Sequence, residues 1–252
     1  MRSLLFLLCL VALEAPAAGQ QVCGRDDLQG AYGMQLSGST TIGVNGAQPV
    51  AAIGRVEFDG EGGVSGVSSV NIAGYFLGNP VTGHYSFRTD CTFTFDLQDD
   101  SGALQHFRGV ASEGGARAEI RQADPDTGEH GVLERTAAEC KTETFQGTYS
   151  FALGGSASQF AADQAPGGQF SIGGTVTADG AGNLVFTSGG AKTTGSYQLG
   201  TDCIAEMELG VVEGDSAGIL KMRGVLVRQG KLLLAVESDP ARIATGRFTL
   251  QP

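Results

Sequence analysis

The side chains that could do chemistry in this sequence are few. Zinc would need three or four His, Cys or carboxylate ligands converging on one point. The three histidines, His84, His106 and His130, all lie in the first half of the chain, and the alternating pattern around His84 and His106 turns them outward. They read as surface histidines. Carboxylates gather between apolar segments, at Asp99 and Asp100, Asp124 and Asp126, Glu213 and Asp215, and Asp239. Loops of this kind can hold calcium, but neither the EF-hand spacing nor the glycine-rich nonapeptide repeat occurs, so solvated turns are expected. Asp59 and Asp179 each precede glycine, as a tight hairpin requires. No HExxH, CxxC or P-loop run is present. No cofactor, metal or catalytic residue is expected, and an enzyme is the lesser reading.

The remaining chemistry is that of an apolar lining. Tyr32, Phe58, Tyr85, Phe87, Phe93, Phe95 and Phe107 share the inward phase of the first half of the chain. The residues placed to meet a small apolar ligand are Tyr32, Tyr85 and Phe95, with Tyr149, Tyr197 and Met207 in the second half. In a barrel of about 115 residues a packed interior is favoured over a cavity.

The elements positioning these residues are written twice. TGHYSFRTDC at 82 to 91 returns as TGSYQLGTDC at 194 to 203, and GRVEFDGEG from Gly54 returns as GTVTADGAG from Gly174. Leu28 to Tyr32 answers to Phe145 to Tyr149, and Cys23 to Cys140. The chain is two copies of one unit, residues 20 to 137 and 138 to 252, behind a leader at 1 to 19. A period above 100 residues is a domain rather than a solenoid repeat. Within a copy the apolar period is two: Phe93, Phe95 and Leu97 alternate with polar residues, as do Ala205, Met207 and Leu209. About eight such segments per copy, joined by short Gly-rich links, predict an all-β protein of two tandem eight-stranded antiparallel up-and-down β-barrels, with a two-sheet sandwich as the competing fold.

The copies also order the cysteines. Four remain outside the leader, and the repeat favours Cys23 with Cys91 and Cys140 with Cys203, one disulfide per barrel. Cys23 precedes the first strand and Cys91 opens the fifth, so both lie at one end. Short links collect at that end, while longer ones, at 37 to 48, 73 to 80 and 154 to 168, mark the opposite mouth as the binding end. Arg108 and Arg223 repeat at one outward position and are expected to form ion pairs. Leu232, Leu234 and Val236, with Val225 and Val227, also point outward, where copy one carries charge. Such a patch predicts an interface with the first barrel or with a second molecule.

The leader has one basic residue, an apolar run from Leu4 to Leu13 that is half the length of a spanning helix, and a small-residue ending. Export to a secreted or periplasmic location is expected, without membrane insertion. Sixteen basic against 27 acidic residues leave a net charge of −11, which disfavours nucleic acid as a partner.

Gly30-Ala31-Tyr32 and Gly147-Thr148-Tyr149, each opening an eight-stranded meander, resemble the Gly-x-Trp of the lipocalin and wider calycin group of small-ligand barrels, with Tyr in place of Trp. The segment GRVEFDGEGGVSG is faintly similar to allene oxide cyclase and dirigent barrels, which would imply cyclase-type chemistry. The leading expectation is a non-catalytic binding module taking a small apolar ligand or an envelope partner at the long-loop mouths. A structural or adhesive envelope protein with solid barrels is the second expectation, and a cyclase-type enzyme the third.

Overall fold

Alternation of large apolar and small or polar residues becomes strand after strand in the computed structural model, which describes residues 23–41, 46–162, 164–213 and 216–252. The leader therefore lies outside the described residues. The first copy runs as β1 (Gly30–Thr41), β2 (Ala47–Phe58), β3 (Gly63–Ile72), β4 (Tyr75–Phe87), β5 (Thr92–Asp99), β6 (Leu104–Ser112), β7 (Arg117–Gln122) and β8 (His130–Arg135). The second runs as β9 (Gln146–Ala157), β10 (Gln169–Asp179), β11 (Asn183–Ser188), β12 (Ala191–Leu199), β13 (Ile204–Glu213), β14 (Ser216–Val227), β15 (Leu232–Glu237) and β16 (Arg242–Leu250). Every neighbouring pair is antiparallel. β8 returns to β1 and β16 to β9, giving two closed barrels with no free edge. Among the described residues no helix is long and apolar enough to cross a membrane.

One end of each barrel is shut in the same way. Cys23 is bonded to Cys91 and Cys140 to Cys203, tying the entering segment to the turn between the fourth and fifth strands. A short 3-10 turn follows each entering cysteine and delivers a fully buried plug, Leu28 in barrel 1 and Phe145 in barrel 2. The tyrosines of the repeated Gly-x-Tyr lock this closure. Tyr32 donates its hydroxyl proton to the carbonyl of Gly115 at 2.6 Å, and Tyr149 donates to Gly230 at 2.8 Å. Asp59 caps its turn by accepting from the backbone N–H groups of Glu61 and Gly63, and Asp179 accepts first from the Asn183 side-chain amide and then from the backbone of Asn183 and Ala181, which holds both carboxyls below the usual carboxylate range.

At the opposite mouth the strands run further than the apolar pattern indicates. Residues 73 to 80, expected as a loop, are almost all strand. Ala73 and Gly74 alone form the turn, both with positive φ, and Tyr75 already pairs with Ile72. The ladder between β1 and β2 likewise reaches Thr41 and Ala47. Backbone pairing satisfies N–H and C=O groups whatever the side chains, so Gly, Ser and Asn extend a strand that apolar periodicity does not mark.

The two barrels share a third core. Val225, Val227, Leu232, Leu234 and Val236 are buried against Ala51, Ile53 and Val132 of the first barrel, which assigns the outward patch of copy two to the inter-barrel contact. β15 is consequently buried along its whole length. Approach is close enough that a Cβ on Gly33 would lie 2.5 Å from Val227. Gln35 crosses the contact, donating to the carbonyls of Ala235 at 2.8 Å and Gly246 at 2.9 Å.

Glu134 also lies here, wholly buried, and accepts from Arg117 at 2.9 Å and from Arg228 of barrel 2 at 2.7 and 3.2 Å. Removing one partner of a buried pair leaves a charge short of its compensation. Arg228→Met is expected to cost about 3 kcal/mol in urea denaturation, with much of the loss recovered when Glu134→Met is added. A loss under about 1 kcal/mol would show that the pair is not a clamp between the barrels.

Candidate functional site

The interior of barrel 1 changes character along its axis. At the closed end Tyr32, Phe58, Tyr85, Phe93, Phe95 and Phe107 pack into one aromatic cluster, with Phe95 and Phe107 stacked at 4.8 Å. Above them an aliphatic belt of Leu36, Ala52, Val70, Val81 and Leu97 surrounds a cavity of about 620 Å³ that opens at the far mouth. That volume is in the range of small-molecule sites. The packed interior expected for so small a barrel thus holds for the closed half only. Leu77 and Leu104 stand on the rim, 53% and 48% exposed, an unusual place for leucine unless something apolar passes it.

A polar ring sits between the belt and the rim. Strand parity carries Thr40, Gln105, Gln122 and Glu129 to the inner face, beyond the last apolar residue of each strand. Glu129 is 3% exposed and receives a hydrogen bond from the Thr40 hydroxyl and a long one, 3.5 Å, from Gln105 Nε2. Burial pushes its carboxyl up to about 7. Gln122 is its cross-strand neighbour, joined through the backbone at 2.8 Å. Its Nε2 donates to Asp124, while its buried Oε1 accepts nothing.

The repeat supplies an internal comparison. Where barrel 1 has Thr40, Asp99, Gln105 and Glu129, the corresponding positions of barrel 2 carry Ala157, Val211, Leu220 and Ala244, all buried in its apolar core. Phe186 stands where barrel 1 has Gly66, and its ring packs edge-on against Phe151 at 5.7 Å. Gln122, by contrast, answers to Glu237, which faces inward on β15 and is 2% exposed, so barrel 2 keeps one polar side chain at this level and the full ring belongs to barrel 1.

The residues singled out from sequence lie deeper than this cavity. Tyr32, Tyr85 and Phe95 form the aromatic floor, and Tyr149, Tyr197 and Met207 belong to the core of barrel 2. The hydroxyls of Tyr32, Tyr149 and Tyr197 donate to backbone carbonyls at the closed ends. Burial pushes Tyr32 and Tyr149 up to about 12 and raises Tyr197. Parity alone could have found the polar ring, had it been followed past the apolar run and set against the alanines and leucines of the second copy.

Outside the barrels, His106 pairs with Asp124 at 2.7 Å, His84 faces Asp96 at 3.8 Å, and His130 is exposed. Among the described residues no three His, Cys, Asp or Glu side chains come together to hold a metal ion. Arg223 pairs with Glu206 at 2.7 Å, as expected. Arg108 departs from that expectation, since its cross-strand neighbour is Arg121, and both line an outer groove with Arg247 of barrel 2.

In class, then, the chain is a tandem pair of small closed antiparallel barrels, each sealed at one end. No family model matches it, and neither does any curated protein. Among solved structures, a porin-like protein from Bacteroides uniformis is similar at 12% identity over 87% of this chain and 97% of that one, with a TM-score of 0.19.

Proposed function

We propose that this protein is an exported, non-catalytic binding module that holds one small, largely apolar ligand in the mouth of barrel 1, with barrel 2 as its buttress. The observation that carries this reading is the cavity of about 620 Å³, apolar in its depth and polar near its rim. A small number of placed polar groups on an apolar wall is how such sites orient a ligand. The lipocalin-like functional reading rests on the same feature, a cup closed at one end. Two disulfides and the leader-like N-terminal composition support an oxidising, extracytoplasmic setting.

Ala52 lies between Leu36 and Val70 on the inner face, so a larger side chain there would enter the cavity. N-phenyl-1-naphthylamine, a neutral dye that fluoresces in apolar surroundings, is expected to bind the wild type saturably at one site. Ala52→Phe, and independently Val81→Phe on β4, should weaken that binding by at least about tenfold while preserving the β-sheet circular dichroism. A wild type with no saturable binding, or folded variants that bind as well as it does, would refute the assignment.

A further inference from the structure

The polar ring restricts the kind of ligand the cavity can take. Among the described residues lining it there are three carboxylates, Asp99, Asp124 and Glu129, and no Lys or Arg. Two of the three are already occupied. Asp99 accepts from Ser101, Ala103 and Asn79, and Asp124 accepts from the backbone and ring of His106 and from Gln122. Glu129 is the exception: it is the most buried of the three, and its donors are the Thr40 hydroxyl and the distant Gln105 amide, neither of them charged. Beside it the buried Oε1 of Gln122 accepts no hydrogen bond from the protein. Buried polar atoms in native proteins normally have partners, and one that lacks a partner on a cavity wall marks a place for a ligand donor.

From these groups we infer that barrel 1 binds an amphipathic cation: an apolar body in the aliphatic belt, ending in a protonated amine that donates to Glu129 and Gln122. This rests on the cavity being a ligand site. A carboxylate or phosphate head group would face three carboxylates and no cation, whereas an ammonium supplies the donors that Glu129 and Gln122 lack. The net charge of −11 would also draw cations rather than anions to the mouth. Barrel 2 has Ala157, Leu220 and Ala244 in place of Thr40, Gln105 and Glu129, and its one buried carboxylate at this level, Glu237, stands in place of Gln122.

The acidity of Glu129 gives the inference a pH signature. Burial pushes its carboxyl up to about 7, with Asp124 adding to the rise. The other titratable groups about the mouth are Asp99, His106 on Asp124, and His130 pointing outward from the next position. An ammonium beside Glu129 favours its ionised form, so amine affinity should rise from pH 6 to pH 8, where an alkylamine is still protonated.

Displacement of N-phenyl-1-naphthylamine by dodecylamine, dodecanol and dodecanoate tests this. At pH 8 dodecylamine is expected to bind about tenfold or more tighter than dodecanol, with dodecanoate the weakest. Glu129→Gln should remove the amine's advantage over dodecanol and its rise with pH. If dodecanoate binds as well as the amine, or if Glu129→Gln leaves amine affinity unchanged, the ligand is not a cation although the cavity stands. If none of the three displaces the dye, the cavity reading itself fails.

Discussion

At pH 8 the Glu129→Gln protein is expected to be more stable than the wild type, by up to about 3 kcal/mol. The sign follows from where the proton sits. In the unfolded chain this glutamate ionises near 4.5, whereas burial pushes it up to about 7 in the folded barrel. Between those values the folded state keeps a proton that the unfolded state has released. Stability therefore falls as pH rises through that window and stays lower above it. Glutamine keeps the shape and the hydrogen bonding without the buried charge, so the variant should escape the fall. At pH 4, where the wild-type carboxyl is protonated, the two proteins should be nearly equal. Thermal melting at both pH values measures this, with a gain of roughly 5–10 °C expected at pH 8. Equal stability at pH 8, or a gap of the same size at pH 4, would contradict the account of Glu129 as a buried and incompletely compensated acid. A group that costs the fold stability, at a position where the sister barrel has Ala244, is what a ligand site would retain.

The second large effect belongs to the closed end. The bond between Cys23 and Cys91 closes a loop with a sequence separation of 68 and holds the segment that delivers Leu28 into the barrel floor. By loop entropy, its removal in Cys23→Ala/Cys91→Ala is expected to cost about 4 kcal/mol. Native packing adds to that cost if Leu28 leaves the barrel 1 core, because the side chains packed around it lose those contacts. Urea denaturation of the oxidised wild type and the double variant gives the difference directly. A loss of less than about 1 kcal/mol would mean that the tyrosine hydroxyl bonds and the barrel ladder hold the closed end without the disulfide. Amide exchange adds a positional check, since the protons around residues 23–28 should lose protection first.

Much of this architecture could be read from the residues. The period of two through Tyr32, Met34 and Leu36, and again through Phe93, Phe95 and Leu97, named the inner face of each barrel. The repeat paired the cysteines, and the unusual apolar exterior at Leu232, Leu234 and Val236 marked the contact between the barrels. Two things were hidden, for one reason: apolar periodicity reports burial against apolar neighbours and is silent elsewhere. It stopped short of the true end of β4, where Tyr75 to Asn79 pair with Ser68 to Ile72 through the backbone. It also passed over Thr40, Gln105, Gln122 and Glu129, because a polar residue in an alternating strand reads as outward-facing even when the strand's phase turns it in. The aromatic residues, by contrast, were placed on the correct face, but their depth along the axis depends on strand tilt and stagger, which a linear sequence does not display. They form the floor beneath the cavity.

The central claim is that barrel 1 is a half-hollow cup whose mouth receives a ligand. A crystal structure of the protein grown with dodecylamine tests it most directly. The account predicts electron density for one alkyl chain along the axis of barrel 1, between Leu36, Ala52, Val70 and Val81, with its nitrogen within hydrogen-bond distance of Glu129 and Gln122. Density confined to the outer walls, or a barrel 1 whose side chains fill the space and leave no room for the chain, would contradict it.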